Sequence, residues 1–458
     1  MIAPRPLRLI TSCLPLLVLT SLAACGDDPT GIAAPVVFIT SPTTASTFSE
    51  GSVIRLEGSG TDRQDGALDG GALVWTSSID GEIGTGRVVD VTGASTGLHT
   101  ITLTGTDSDG NVGSAAVSIE VESLPFLAGT VDDPEIGFVI NSTGNAIRIF
   151  QLGDPSRKRD IALGASNTVT PTGISIRGAR GVVPLGNAAS VAVLDLSTQE
   201  IESYFLFPSG NATGSAFIDD ETVVVANQET DVVGKFSLGQ SDAAIGETVA
   251  VTQFPTDVIA VSDSLVLVVS GNLDDSYLPA GNGIVTAIDP RTMTVIDTVG
   301  TGGSNPQLAD LGPEGRLYVV NTGDYVSPST LAVIDPATMT RLNVVDGFLA
   351  GSGDVHVGTD GLVYVSAFFG GTMVWNSATE NFVRDSSAPI CAPITGGGCR
   401  GAFSAHTSAG GALYQAFFGS PSDGLPPQIF RYDAGTFTLT DSIDSGLGPA
   451  GIEITTFR

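Results

Sequence analysis

GFVINS at residues 137–142 opens a series of seven related segments: GVVPLG from Gly181, TVVVAN from Thr222, LVLVVS from Leu265, RLYVVN from Arg316, LVYVSA from Leu362 and ALYQAF from Ala412. Each is an apolar strand ending in a polar turn, followed by two further strands and a short one often introduced by Pro or Gly. The segments start 41 to 51 residues apart, a spacing that suits four-stranded units rather than helical repeats. The series begins with a second-type strand at Gly137 and ends with an innermost-type strand at Pro449. The C-terminal strand is therefore expected to complete the first unit, which removes exposed sheet edges. Glycine at 58 residues, 6% aromatics and few Lys or Met agree with an all-β chain of short strands and tight turns.

Residues 1–24 read as an export signal: Arg5 and Arg8 precede an apolar run from Leu14 to Leu22 that is too short to span a membrane. The run ends in Leu22-Ala23-Ala24-Cys25, which resembles the bacterial lipoprotein box. That resemblance implies acylation of Cys25, a tether over residues 25–35 and anchoring in the cell envelope, with Gly26 favouring the outer membrane. Two of the remaining cysteines, Cys391 and Cys399, lie eight apart in a Gly-rich loop. In an exported chain that spacing predicts a local disulfide, with a two-Cys metal site as the rival reading.

Residues 36–122 carry about six alternating strands, among them VVFITSP, ALVWTSS and HTITLTGTDSDG, and predict a small β-sandwich. The stretch resembles bacterial Ig-like or PKD-like modules, with Trp75 in the place of their buried tryptophan. Asp62, Asp65, Asp107 and Asp109 lie in two Asp-Gly-rich turns. Carboxylates on paired loops suit calcium, and Asp and Gly equally serve to make such turns. His99 is expected at an edge or on the surface.

Residues 123–458 resemble YVTN-type β-propeller repeats, in which a Pro-x-Gly segment leads into the innermost strand of a blade. PTGISI at Pro171, PTDVIA at Pro255, NPQLADL at Asn305 and PAGIEI at Pro449 carry the likeness. It implies an Ig-like β-sandwich followed by a seven-bladed β-propeller closed by its C-terminal strand. Asp-x-x-Thr-like turns at Asp195, Asp289, Asp335, Asn376 and Asp433 are rim turn makers.

A formal net charge of −30 excludes a nucleic-acid binder, which needs clustered Lys and Arg. No His-Glu-x-x-His or phosphate loop is present. Alignment of the innermost strands places Ser175, Ala216, Ile259, Asp310, His356, His406 and Glu453 in one column. Asp310, His356, His406 and Glu453 are thus a candidate divalent-metal site or acid/base group in the channel, or polar lining of a wet channel. The long loops 271–283, 322–330, 386–401 and 419–428 share one face. They present Asp274, Asp275, Tyr277, Asp324, Tyr325 and Asp423, and Phe369 joins them there. Loops beyond hairpin length tend to carry function.

The expectation is an exported, lipid-anchored binding protein that takes an extracellular protein, glycan or small ligand on its loop-rich face. The alternative is a metal-dependent enzyme resembling propeller lactonases and lyases, with its site in the channel.

Overall fold

The structure is a computed structural model that describes residues 34–49, 53–122, 135–164, 169–240, 244–394, 398–420, 422 and 424–457. The leader, Cys25 and tether residues up to 33 lie outside the described residues, as does Asp423. The chain divides into two compact units, Met1–Leu124 and Pro125–Arg458. Both are built of strands, with a single-turn 3-10 helix at Gly70–Ala72. No helix among the described residues is long and apolar enough to cross a membrane.

In the first unit a four-stranded and a five-stranded sheet share one core. Trp75 is fully buried in it and donates its indole N–H to the Gly86 carbonyl at 2.9 Å, so its one polar atom is satisfied. His99 departs from expectation. It lies on the central strand Gly97–Thr106 and is buried, with Nδ1 2.7 Å from Ser77 Oγ and Nε2 2.6 Å from the Ser95 carbonyl. Two local partners make an interior imidazole affordable where the alternation of HTITL gave no sign of them.

The second unit consists of seven four-stranded antiparallel sheets. Sheet one combines the strands between 135 and 162 with Pro449–Thr456. Sheets two to seven follow in order over 175–206, 212–250, 255–300, 306–348, 352–384 and 404–444. Pro449–Thr456 pairs antiparallel with Glu135–Asn141, Ile452 facing Val139 and Ile454 facing Gly137.

The middle strands read as unbroken apolar runs because sheets pack on both of their faces: Leu265–Ser270, LVLVVS, is buried from its second residue onward. Outermost strands such as Thr294–Gly300 have no outer neighbour and are largely exposed. Seven apolar cores result, each shared by two neighbouring sheets. One of them joins Val139 and Ile454 of sheet one to Tyr414 and Ile429 of sheet seven. Packing thus passes round all seven sheets and returns to the first, a β-propeller-like arrangement.

The hairpin turns follow the reading from sequence. Oδ1 of Asp195, Asp335 and Asn376 accepts the amide two residues on, at 2.8, 2.9 and 3.0 Å. These carboxylates and amides shape turns and leave little for a ligand.

Candidate functional site: the axial channel and its aromatic rim

The innermost strands enclose a channel of about 360 Å³. One arc of its wall is small, with Gly173, Ser175, Gly214, Ser215 and Gly451, and the other is titratable, with Asp257, Asp310, Asp354, His356, His406 and Glu453. Among the described residues neither Lys nor Arg lines it. In the second sheet of the small arc a β-bulge between Ala212 and Ser215 shifts the register, so Ser215 rather than Ala216 faces Ser175, their hydroxyls 2.9 Å apart. Ile259 does not line the channel and packs on the core shared by sheets four and five.

Asp310, His356, His406 and Glu453 do come together. His356 Nδ1 lies 3.3 Å from Asp310 and His406 Nε2 lies 3.3 Å from Glu453, while the two rings stack 3.8 Å apart with 28° between their planes. Behind them Thr407 serves both rings. Its hydroxyl is 2.8 Å from His356 Nε2, and its carbonyl accepts from His406 Nδ1 at 2.9 Å. A chain of polar contacts therefore runs Asp310, His356, Thr407, His406, Glu453 across sheets five, six, seven and one.

The partners assign protons. An ionised carboxylate only accepts, so the nitrogen of His356 facing Asp310 carries the hydrogen and Nε2 accepts from the Thr407 hydroxyl. His406 faces two acceptors and satisfies both as an imidazolium. The protonation tendencies agree: burial, and then the charge of His406, push His356 below its ordinary value. Burial also opposes charge on His406, but the Glu453 carboxylate and the Thr407 carbonyl outweigh it and raise that imidazole.

This arrangement does not fit a metal centre as it stands. Imidazole lone pairs lie in the ring plane, and two near-parallel stacked rings do not aim them at one point. All four imidazole nitrogens already face a partner. Among the described residues no three His, Cys, Asp or Glu side chains are disposed to hold a metal ion. The sandwich turns are similarly occupied. Asp62 caps Gln64 and Asp65, Asp107 caps Asp109 and Asn111, and Asp65 binds Ser108 across the two loops at 2.6 and 2.8 Å.

Two channel carboxyls, Asp257 and Asp354, escaped the sequence reading. They lie two residues before Ile259 and His356, hence on the same strand faces, one step nearer the loop-rich end. Asp257 accepts the Ala309 amide and Asp354 the Ala405 amide, both at 3.0 Å, and each so ties its sheet to the next. Asp310 does the same to Val357 at 2.7 Å. Burial pushes Asp257 up to about 6 and Asp354 up to about 7 against the pull of those amides.

Above the channel the loop-rich face carries aromatic rings from successive sheets. Tyr325, Phe368, Phe403 and Phe418 follow one another at 6.3, 4.8 and 4.8 Å between centroids, and Tyr277 meets Phe254 edge-on at 5.5 Å. The repeated AFFG at 367–370 and 416–419 was the available sequence signal for this rim. Gly353 and Gly401 are needed beneath it, since a Cβ at either would collide with Phe368, its ring in one case and its carbonyl in the other. Tyr277 is 71% exposed and Phe369 77%, while Tyr325 is 43% exposed. Asp274 and Asp324 hold their own loops: Asp274 accepts Ser276 and Leu278 amides, and Asp324 those of Val326 and Ser327. Asp275 is exposed.

Cys391 and Cys399 are joined as a disulfide on the same face. Beside it Arg400 lies 5.3 and 5.2 Å from the Phe417 and Phe430 rings and donates to Gln428.

No family model matches the chain, and no curated protein matches it. Solved structures do. Hydrazine synthase from Kuenenia stuttgartiensis superposes with a TM-score of 0.52 at 14% identity, covering 63% of this chain and 90% of that one. A functionally unknown protein from Desulfotomaculum acetoxidans superposes with a TM-score of 0.53 at 16% identity, covering 70% of this chain and 99% of that one. At such identities the likeness is one of fold alone, and it agrees with a β-propeller-like unit.

Proposed function

We propose that this chain is an exported, lipid-anchored binding protein of the bacterial cell envelope, whose seven-bladed, YVTN-type propeller takes an extracellular ligand on its loop-rich face. In this reading residues 1–24 are removed, Cys25 carries the lipid that holds the protein in the outer membrane, and the Ig-like, PKD-like sandwich of 36–122 is the spacer that precedes the propeller. The observation that carries it is the aromatic rim. Large rings on the loop-rich face, with Tyr277 and Phe369 mostly open to solvent, are unfavourable to leave uncovered and are typical of contact surfaces.

The binding reading is favoured over a metal-dependent lactonase- or lyase-like enzyme because the imidazoles that such a centre would use are already engaged with Asp310, Thr407 and Glu453. The test is an array of extracellular polysaccharides and peptides probed with wild-type protein and with a Tyr277→Ala, Phe369→Ala double variant. Binding by wild type that the variant loses supports the face; equal binding by both, or by neither, removes it. Membrane fractionation of Cys25→Ala, expected to release soluble protein, tests the anchor separately.

A further inference from the structure

We propose that the occupant of the loop-rich face is a cationic segment, rich in Lys or Arg, whose side chains lie on the exposed rings and whose charge meets the carboxylates beside them. The inference rests on the binding reading above and adds the chemistry of the partner.

Its first support is charge complementarity. The loops that present the exposed rings, 271–283, 322–328 and 368–371, contain Asp274, Asp275 and Asp324 and no Lys or Arg. Arg400, on the same face, is laid over Phe417 and Phe430, and at hairpins of the opposite end Arg177 pairs with Asp220 and Arg180 with Glu202. Arg291 likewise pairs with Asp289 in a hairpin there. The amides of Ser327 and Val326 hold Asp324 below the usual carboxylate range, so its charge persists throughout the neutral region. An anionic partner meets only repulsion on such loops, and a neutral one leaves the charges without use.

The second support is the rings themselves. An aromatic face is electronegative and attracts ammonium and guanidinium groups, the more so with a carboxylate beside it. The molecule already contains this contact: Arg400 lies over the Phe417 and Phe430 rings beside the disulfide of the same face. The third support lies below the rim. Asp257 and Asp354 are the third residues of strands Pro255–Ser262 and Ser352–Val357, hence at the rim end of a channel lined by no cationic Lys or Arg. A single extended Lys or Arg side chain entering there would meet both layers.

The experiment is calorimetric titration of the full-length protein with three probes: a ten-residue alternating Arg-Lys peptide, its all-Glu counterpart and chitohexaose. The basic peptide should bind, more weakly as salt rises, and the acidic one should not. A Tyr325→Ala, Phe369→Ala double variant leaves net charge unchanged and should weaken the basic peptide at least tenfold. Phe369→Ala alone removes an exposed ring that supports no core and should weaken it several-fold without a change in melting. Glu202→Gln with Asp220→Asn, at the opposite end, should leave binding intact. Equal affinity for the double variant would reduce the attraction to diffuse net charge and overturn the proposal. Should chitohexaose bind through the rings and the basic peptide not, the face stands and the cationic partner falls. Should neither bind, both fall.

Discussion

The imidazoles of His356 and His406 stack 3.8 Å apart, yet each faces its own carboxylate, Asp310 on one side and Glu453 on the other, at 3.3 Å. Two chemically identical groups in contact thus have divided roles, one neutral and one cationic. Like charges at that distance are costly, so the division is itself a condition of the packing.

From this arrangement the two rings should titrate on opposite sides of about 6.5, the ordinary histidine value. His356, depressed by burial and by His406, contributes stability that is present above about 6.5 and is lost as pH falls through its folded value. His406, raised by Glu453 against its burial, contributes stability that is full below about 6.5 and is lost as pH rises through its folded value. Imidazole NMR titration reads both. Glu453→Gln should bring His406 below the ordinary value, because burial then acts with less opposition; coincident titration of the two rings in wild type would contradict the division.

The four-residue column was legible because innermost strands repeat with a fixed phase and a side-chain period of two, which is enough to place Asp310, His356, His406 and Glu453 together. What they do was not legible. The stacking depends on the distance between sheets six and seven, and the occupation of every imidazole nitrogen depends on Thr407, a residue with no distinction in sequence. Ala216 was misplaced because a bulge inserts a residue without a signature of its own. The aromatic rim was half legible: Tyr277 and Tyr325 stood out in long loops, and Phe369 was placed on the same face. Phe403 and Phe418, in contrast, meet because they flank Ser404–Thr407 and Ala412–Phe417, two strands paired within sheet seven.

Asp354 should cost the fold stability at neutral pH. Burial raises it to about 7, so the folded state holds its proton where the unfolded chain, near 3.8, has released it. Stability from this group therefore declines as pH rises from about 4 to about 7 and is level above that range. Asp354→Asn keeps an acceptor for the Ala405 amide and removes the charge. It should raise the melting temperature by several degrees at pH 8 and by much less at pH 5, measured by calorimetry. A larger gain at pH 5 than at pH 8 would refute the assignment.

The bridge between Cys391 and Cys399 closes a loop of eight residues' separation on the loop-rich face. Restricting so short a loop should stabilise by about 2 kcal/mol, mostly within that loop. Mass spectrometry of non-reduced peptides should find the two cysteines linked. Cys391→Ser with Cys399→Ser should lower the melting temperature by a few degrees and loosen Arg400 from its rings. Two free thiols would count against both the bridge and the proposed exported compartment.

Removal of residues 449–458 should open the ring of sheets. Pro449–Thr456 is the innermost strand of sheet one, and its apolar residues Ile452 and Ile454 are 4% exposed in the core shared with sheet seven. Burying each is worth about 1.5–3 kcal/mol. The strand also carries the Ser404 contact to the Ile452 amide at 3.2 Å and the His406 contact to Glu453. Together these approach the about 5–15 kcal/mol that separates a folded domain from its unfolded chain. The truncated protein would in addition expose Glu135–Asn141 as a long apolar edge, ready to pair with another chain. The expected result is loss of the cooperative melting transition and association on a sizing column. A synthetic peptide of residues 449–458 added in trans should restore both, since the ladder positions it occupies remain vacant. The milder Ile452→Ala should cost about 2–5 kcal/mol without opening the ring. A truncated protein that stays monomeric with an unchanged melting temperature would show that the C-terminal strand does not hold sheet one to sheet seven.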